Sequence, residues 1–146
     1  MCLGDIHNGY CHTAAMPGPG TGNVTLTSAD YQTGLLGRFY YPTNGTNLNS
    51  LRDVGSRNGD VACLYHYTTT TNQVKETNSV VDIGFHSIAA DVNGQPADGD
   101  GDGVADYLED LSGNGLVNSG ETAWNDPADI GLRVKITRPN NGAKIP

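Results

Sequence analysis

The sequence predicts a mainly β fold: a short β module, an acidic loop segment and a C-terminal amphipathic strand. Three observations carry this. Gly, Asn and Thr make up a third of the 146 residues, and all three are poor helix formers. The apolar stretches are short, rich in β-branched and aromatic residues, and separated by turn residues. Third, the acids are not spread evenly. Residues 76–132 contain no Lys or Arg and hold twelve of the sixteen Asp and Glu, whereas residues 133–146 hold four of the eight cations.

Taken in order, residues 1–16 are polar and irregular, and Pro17-Gly18-Pro19-Gly20 reads as a turn or linker. Val24-Thr25-Leu26-Thr27 alternates as a short strand. Gly37-Arg38-Phe39-Tyr40-Tyr41-Pro42 is an aromatic strand that Pro42 ends. Residues 43–60 are rich in Asn, Gly and Ser, with Leu48, Leu51 and Val54 as apolar anchors. Val61–Tyr67, followed by four threonines, is expected to be a strand, and so is Val80–Ile88. The one helix expected is Val104–Leu111, at most two turns. Ile130, Leu132, Val134 and Ile136 alternate with Gly131, Arg133, Lys135 and Thr137, the clearest period-two signal in the chain. The expected divisions are 1–22 as an arm or linker, 23–92 as the β module, 93–126 as the loop segment, and 127–146 as the C-terminal strand and tail.

Composition excludes several classes. There is no run of 18 apolar residues to cross a membrane as a helix. A net charge of -8 opposes binding to a phosphate backbone. Val, Ile, Leu and Phe number 29 of 146 residues, at the edge of what folds by hydrophobic burial alone. Three cysteines, Cys2, Cys11 and Cys63, leave one unpaired within a single chain. Cys2–Cys11 and Cys11–Cys63 are both open as pairs. Asn23-Val24-Thr25 and Asn44-Gly45-Thr46 are glycosylation sequons. No apolar segment of signal-peptide type follows Met1, and the chain is expected to be a piece or processed product of a longer exported precursor.

The acids have a spacing that a solvated acidic linker does not need. Residues 98–109 match the twelve-residue calcium loop D-x-D-x-D-G-x5-E at every required position. Asp98, Asp100 and Asp102 stand at positions 1, 3 and 5, and Gly103 permits the turn. Val104 offers its carbonyl, Asp106 stands at position 9, and Glu109 supplies both oxygens at position 12. Residues 110–121 repeat the pattern without a gap: Asp110, Ser112, Asn114, Gly115, Leu116, Asn118 and Glu121 take positions 1, 3, 5, 6, 7, 9 and 12. The expected cofactor is Ca²⁺ at two sites. The second carries two carboxylates against five in the first, so it is expected to bind more weakly or to fill second.

An EF-hand requires a helix on each side of its loop, and Gly94 and Pro96 oppose one before Asp98. The segment instead resembles the tandem calcium motifs of thrombospondin type-3 repeats and, more loosely, of dockerins. That resemblance implies ions that organise a chain with little core, with the residues just named as ligands. Ser112 departs from the usual carboxylate or amide and weakens the second site.

A second resemblance lies upstream. Gly37-Arg38-Phe39-Tyr40-Tyr41-Pro42-Thr43, Leu51-Arg52-Asp53-Val54-Gly55-Ser56, Leu64-Tyr65-His66-Tyr67-Thr68 and Val81-Asp82-Ile83-Gly84-Phe85-His86 resemble the closing coil of a right-handed parallel β-helix in large bacterial surface proteins. There the coil is followed by a calcium motif and a sandwich-like module. The resemblance implies a short β-helix-like or sandwich-like module. It has room for two or three rungs, so missing upstream rungs or another chain would supply the stacking surface.

His7, His12, His66 and His86 are the natural catalytic suspects, yet no G-x-S-x-G, H-E-x-x-H or phosphate loop is present. The chain is expected not to be an enzyme. Tyr40, Tyr41, Tyr65 and Tyr67 offer either rung stacking or a sugar-binding face. The function expected is a calcium-binding extracellular or cell-surface structural or adhesive module, in a finer version the subunit of a self-assembling filament. The alternative is a carbohydrate-binding or accessory fragment of a secreted polysaccharide-degrading enzyme. Expected partners are further copies or neighbouring domains of the precursor, and glycans at the two sequons. Nucleic acid and membrane insertion are not expected.

Overall fold

The computed structural model describes residues 23–45 and 47–131, together with the backbone of residues 9–11. Regular structure is sparse. Strands β1 (Gly9–Cys11), β2 (Val24–Leu26), β3 (Gln32–Gly34), β4 (Gly37–Tyr40), β5 (Tyr67–Thr68) and β6 (Ser87–Ile88) are joined by a 3₁₀ turn at Leu48–Leu51 and one α-helical turn, α1 (Asp106–Glu109). β1 and β2 pair in parallel, with Tyr10 opposite Thr25. β3–β4 and β5–β6 are antiparallel pairs. A further parallel bridge joins Tyr41 to Thr70. The chain is thus mainly β in character and mostly irregular, and no helix among the described residues is long and apolar enough to cross a membrane.

The apolar core is as small as the composition implies. Leu26, Tyr41, Leu48 and Leu51 form one buried cluster, with Val24 and Ile83 against it. The Tyr41 hydroxyl donates to the Ile83 carbonyl and lies where a side chain on Gly84 would project, at φ +147°. Only glycine fits that close approach. Burial also pushes the Tyr41 phenol well above its ordinary range.

A second, polar core lies beside the first. His66, Thr68, Thr69, Thr70, Glu76, Asp82, Asp106, Glu109 and Asp110 are all buried. Buried polar groups are stable only when bonded, and most of these are. Asp82 accepts from the Asp53 N–H at 2.8 Å and from the Thr69 hydroxyl, which ties three segments together. Burial raises its carboxyl above the usual range. Glu76 faces His86 Nε2 at 2.9 Å. Asp82 and His86, four residues apart, therefore serve different partners.

Two expected strands are mostly not strands. Residues 61–66 form turns, because local acceptors outcompete a ladder. The Val61 N–H goes to the Asp60 carboxylate at 2.8 Å, and Ala62 and Leu64 bond back to Asn58 and Gly59. Cys63 adopts φ 61°, so the chain reverses. Only Tyr67 and Thr68 go on to pair. In the second segment only Ser87–Ile88 is strand. Val81 and Ile83 instead lace onto the irregular 51–57 stretch, through Val81 N–H to Arg57 and Ile83 N–H to Leu51. The expected helix shrinks to α1, a single turn. Tyr40 and Tyr41 are buried, so the tyrosines share no exposed face. Cys63 has no disulfide partner among the described residues. Most of the expected C-terminal strand, and the side chains of Cys2 and Cys11, lie outside the described residues.

Candidate metal centre

The loop segment is hung from the β module by a backbone relay. The Ala89 N–H bonds to His66, the Ala97 N–H to Ala89, and the Asp106 N–H to Ala97. This fixes both ends of the first loop before any side chain is considered.

Within that loop each aspartate folds back on the chain. Asp98 accepts from the Gly101 and Gly103 N–H groups at 2.8 and 2.9 Å. Asp100 accepts from Asp102 at 3.1 Å, and Asp102 from Val104 at 2.6 Å. Gly101 and Gly103 take φ 78° and 90°, the left-handed turns these contacts need. The result is a convergence: one ligand oxygen from each of Asp98, Asp100 and Asp102 lies within 4.8 Å of the others. Glu109 is 1% exposed. Its Oε1 accepts from the Thr122 hydroxyl at 3.0 Å, while Glu109 Oε2 and Asp100 Oδ2 are buried without a hydrogen-bond donor. Burial raises the Glu109 carboxyl above its ordinary range, and the charges of Asp102, Asp100 and Asp106 add to the rise. Buried anionic oxygens without donors, beside a carboxylate triad, fit a hard cation.

Asp106 stands apart from the triad. Its Oδ1 accepts from the Gly99 N–H and its Oδ2 from Lys75, so its position-9 role in the loop is served here by contacts that shape the loop. His66 Nδ1 lies 3.7 Å from the same Oδ2.

The second loop brings together all of its side-chain candidates. Asp110 accepts from the Ser112 hydroxyl at 2.9 Å and from the Gly115 N–H at 2.6 Å. Glu121 accepts from the Ser112 and Asn118 N–H groups at 2.6 and 2.8 Å, and the Asn118 N–H chiefly holds its carboxyl below the ordinary range. Asn118 Nδ2 is surrounded by four oxygens: Ser112 Oγ at 3.0 Å, Asn114 Oδ1 at 3.2 Å, the Leu116 carbonyl at 3.4 Å and Glu121 Oε2 at 3.0 Å. These are the groups at positions 3, 5, 7 and 12. An amide nitrogen has two hydrogens, so four acceptors around it exceed what it can satisfy. An oxygen cage of that kind suits a cation.

Residues outside the motif complete the centre. Lys75 reaches Asp106 and lies 5.8 Å over the Trp124 ring. Trp124 packs on Tyr65 and His66 at 5.7 and 5.1 Å, and its Nε1 donates to the Gly115 carbonyl at 3.2 Å. His66 Nε2 is 3.0 Å from Asp110 Oδ2. Burial, and then the Lys75 charge, lower the His66 pKa. No spacing rule marks Lys75 or His66 as part of this site. Trp124, the single tryptophan and only three residues past Glu121, is the one sequence signal that points there. No protein-family model matches the chain, and comparisons with curated proteins and with solved structures found no match.

Proposed function

We propose that this chain is a calcium-stabilised structural or adhesive module that works outside the cell or at its surface. The observation that carries the reading is the pair of oxygen cages. The first is the Asp98–Asp100–Asp102 triad, whose Asp102 and Asp100 charges act on the buried, donor-less Glu109 carboxyl; the second is the four-oxygen ring around Asn118 Nδ2. Both offer oxygen donors, as a hard cation requires, and the many protein oxygens per loop suit calcium, with its about six to eight ligands, better than magnesium, which keeps several waters. Residues Asp98, Asp100, Asp102 and Glu109 would hold the first ion, with the Val104 carbonyl. Asp110, Ser112, Asn114, the Leu116 carbonyl, Asn118 and Glu121 would hold the second.

Bound cations cancel carboxylate repulsion and tie the loops to the β module. If the module works outside the cell, a Kd of about 10⁻⁴ to 10⁻³ M is the range expected of it, and millimolar extracellular calcium would fill such sites. The finer form of the reading is an assembling surface module built on a β-helix-like coil. It is supported by the parallel pairing of β1 with β2 and by an exposed aromatic row. Tyr31, Phe39 and Phe85 are 42%, 60% and 60% exposed, with ring centres 5.6 and 6.3 Å apart along the row. A neighbouring module would cover that row. The same row favours the second reading, a carbohydrate-binding accessory fragment, because aromatic faces stack on sugar rings.

Native mass spectrometry with added calcium, joined to electron microscopy and a glycan column, tests these readings. Two bound ions with filaments support the assembling module. Two bound ions with monomers retained on the glycan column support the carbohydrate reading. A chain that takes up no calcium at millimolar concentration contradicts both cages.

A further inference from the structure

We propose that His66 is a positioning residue shared by the two cation sites, and that through it occupancy of one site strengthens binding at the other. The inference rests on the calcium reading above and goes beyond it, because the loop motif contains no histidine and predicts no coupling.

His66 belongs to the turn before β5, outside both loops, and is 1% exposed. Its Nε2 stands 3.0 Å from Asp110 Oδ2, at position 1 of the second loop. An ionised carboxylate only accepts, so Nε2 carries the hydrogen. Its Nδ1 is buried without a hydrogen bond and faces Asp106 Oδ2 at 3.7 Å, at position 9 of the first loop. Among the described residues, His66 is the one side chain from outside the loops whose ring nitrogens face a carboxylate of each loop. The ring packs in edge-to-face contacts with Tyr65 and Trp124 at 5.0 and 5.1 Å, and Trp124 is itself bonded to the second loop through the Gly115 carbonyl.

Geometry on the other side completes the link. Asp106 and Asp110 are four residues apart, so a helical turn sets them on one face, the face that meets His66. Between them lies Glu109, the closing residue of the first loop. A single helical turn has little stability of its own, so the contacts at its ends set its orientation. An ion in the first cage fixes Glu109 and hence the turn of α1. That orients Asp110 against His66 with the carboxylate edge already aimed into the second loop. Placing the carboxylate before the second ion arrives removes part of the ordering cost of binding it. The link runs equally in reverse, because coupling between sites is reciprocal.

Calorimetric titration with calcium chloride tests this on four full-length chains: wild type, Glu121→Gln, His66→Phe and the double variant. Glu121→Gln disables the second cage. With His66 present it is expected to weaken the first site about fivefold or more, the ordinary size of site–site coupling. With His66→Phe, which keeps the ring packing and loses both nitrogens, the same Glu121→Gln change is expected to leave the first site nearly unchanged. The proposal is overturned if Glu121→Gln leaves the first site unchanged in the His66 background, or weakens it equally without His66. A wild-type chain that shows no calcium heat overturns the calcium reading itself. If His66→Phe fails to fold, His66→Leu takes its place in both arms, and a first site that Glu121→Gln leaves unchanged in the His66 background overturns the proposal by itself.

Discussion

Glu109 carries opposite roles with and without a cation. It is buried, one of its oxygens has no donor, and its carboxyl is pushed up by burial and by the aspartates near it. In a cation-free chain its ionised form is a cost, and a neutral side chain of the same shape relieves it. In the calcium-loaded chain we propose, the same oxygens would be ligands. Glu109→Gln is therefore expected to be at least as stable as wild type in EDTA. In millimolar calcium it is expected to be less stable by about 1–2 kcal/mol, since most of the mass-action stabilisation from that site is lost. Chemical denaturation in the two buffers measures both. A variant destabilised equally in both would make Glu109 an ordinary packing residue. Spacing alone proposes Glu109 for position 12. The burial that gives it this double character is not legible in spacing, because it comes from Thr122 and from segments distant in sequence.

Elements in this chain are defined by side chain–backbone contacts more than by ladders. Val61–Tyr67 has strand composition, yet Asp60, Asn58 and Gly59 capture its N–H groups and turn it. Propensity describes a residue's fit to a half-buried sheet, and among the described residues no strand pairs with residues 61–66. The Asp98–Asp100–Asp102 convergence was legible because a cation loop demands a fixed spacing of oxygen donors. The docking of the two loops was not, because it depends on glycines meeting the β module at close range. Gly113 adopts φ 66° with the Cys63 backbone against it, and Gly115 adopts φ 77° against the Tyr65 ring. A Cβ at Gly113 meets both a disfavoured conformation and a backbone that cannot retreat. Gly113→Ala is expected to destabilise the chain by about 2 kcal/mol or more, read as a fall in denaturation midpoint. It is also expected to change the Trp124 emission, since Trp124 sits on the same joint. A neutral substitution would mean that the second loop does not dock as described.

At the scale of the whole molecule, the low apolar content and the acidic excess are one feature. A core of four buried apolar side chains with two partly buried neighbours gives limited burial, and the polar core beside it is useful only when its charges are compensated. Lys75 compensates part of it from within through Asp106, and His66 and His86 make hydrogen-bond contacts to Asp110 and Glu76. The cages are where the rest would be met, and two divalent ions would halve the formal charge of -8. The β module and the loop segment were separable in sequence by composition. In space they share the His66–Ala89–Ala97–Asp106 relay and the Lys75–Trp124 contact, so they are expected to unfold together.

The most direct measurement of the central claim is the thermal midpoint of the full chain in EDTA, in 1 mM magnesium and in 1 mM calcium. With Kd near 10⁻⁴ M, each filled site adds about 1.4 kcal/mol. Two sites then raise the midpoint by roughly 5–10 °C for a domain of this size. The account predicts that rise in calcium, in a single transition that includes the Trp124 signal, with magnesium giving much less. An unchanged midpoint in calcium, or an equal rise in magnesium, would contradict it.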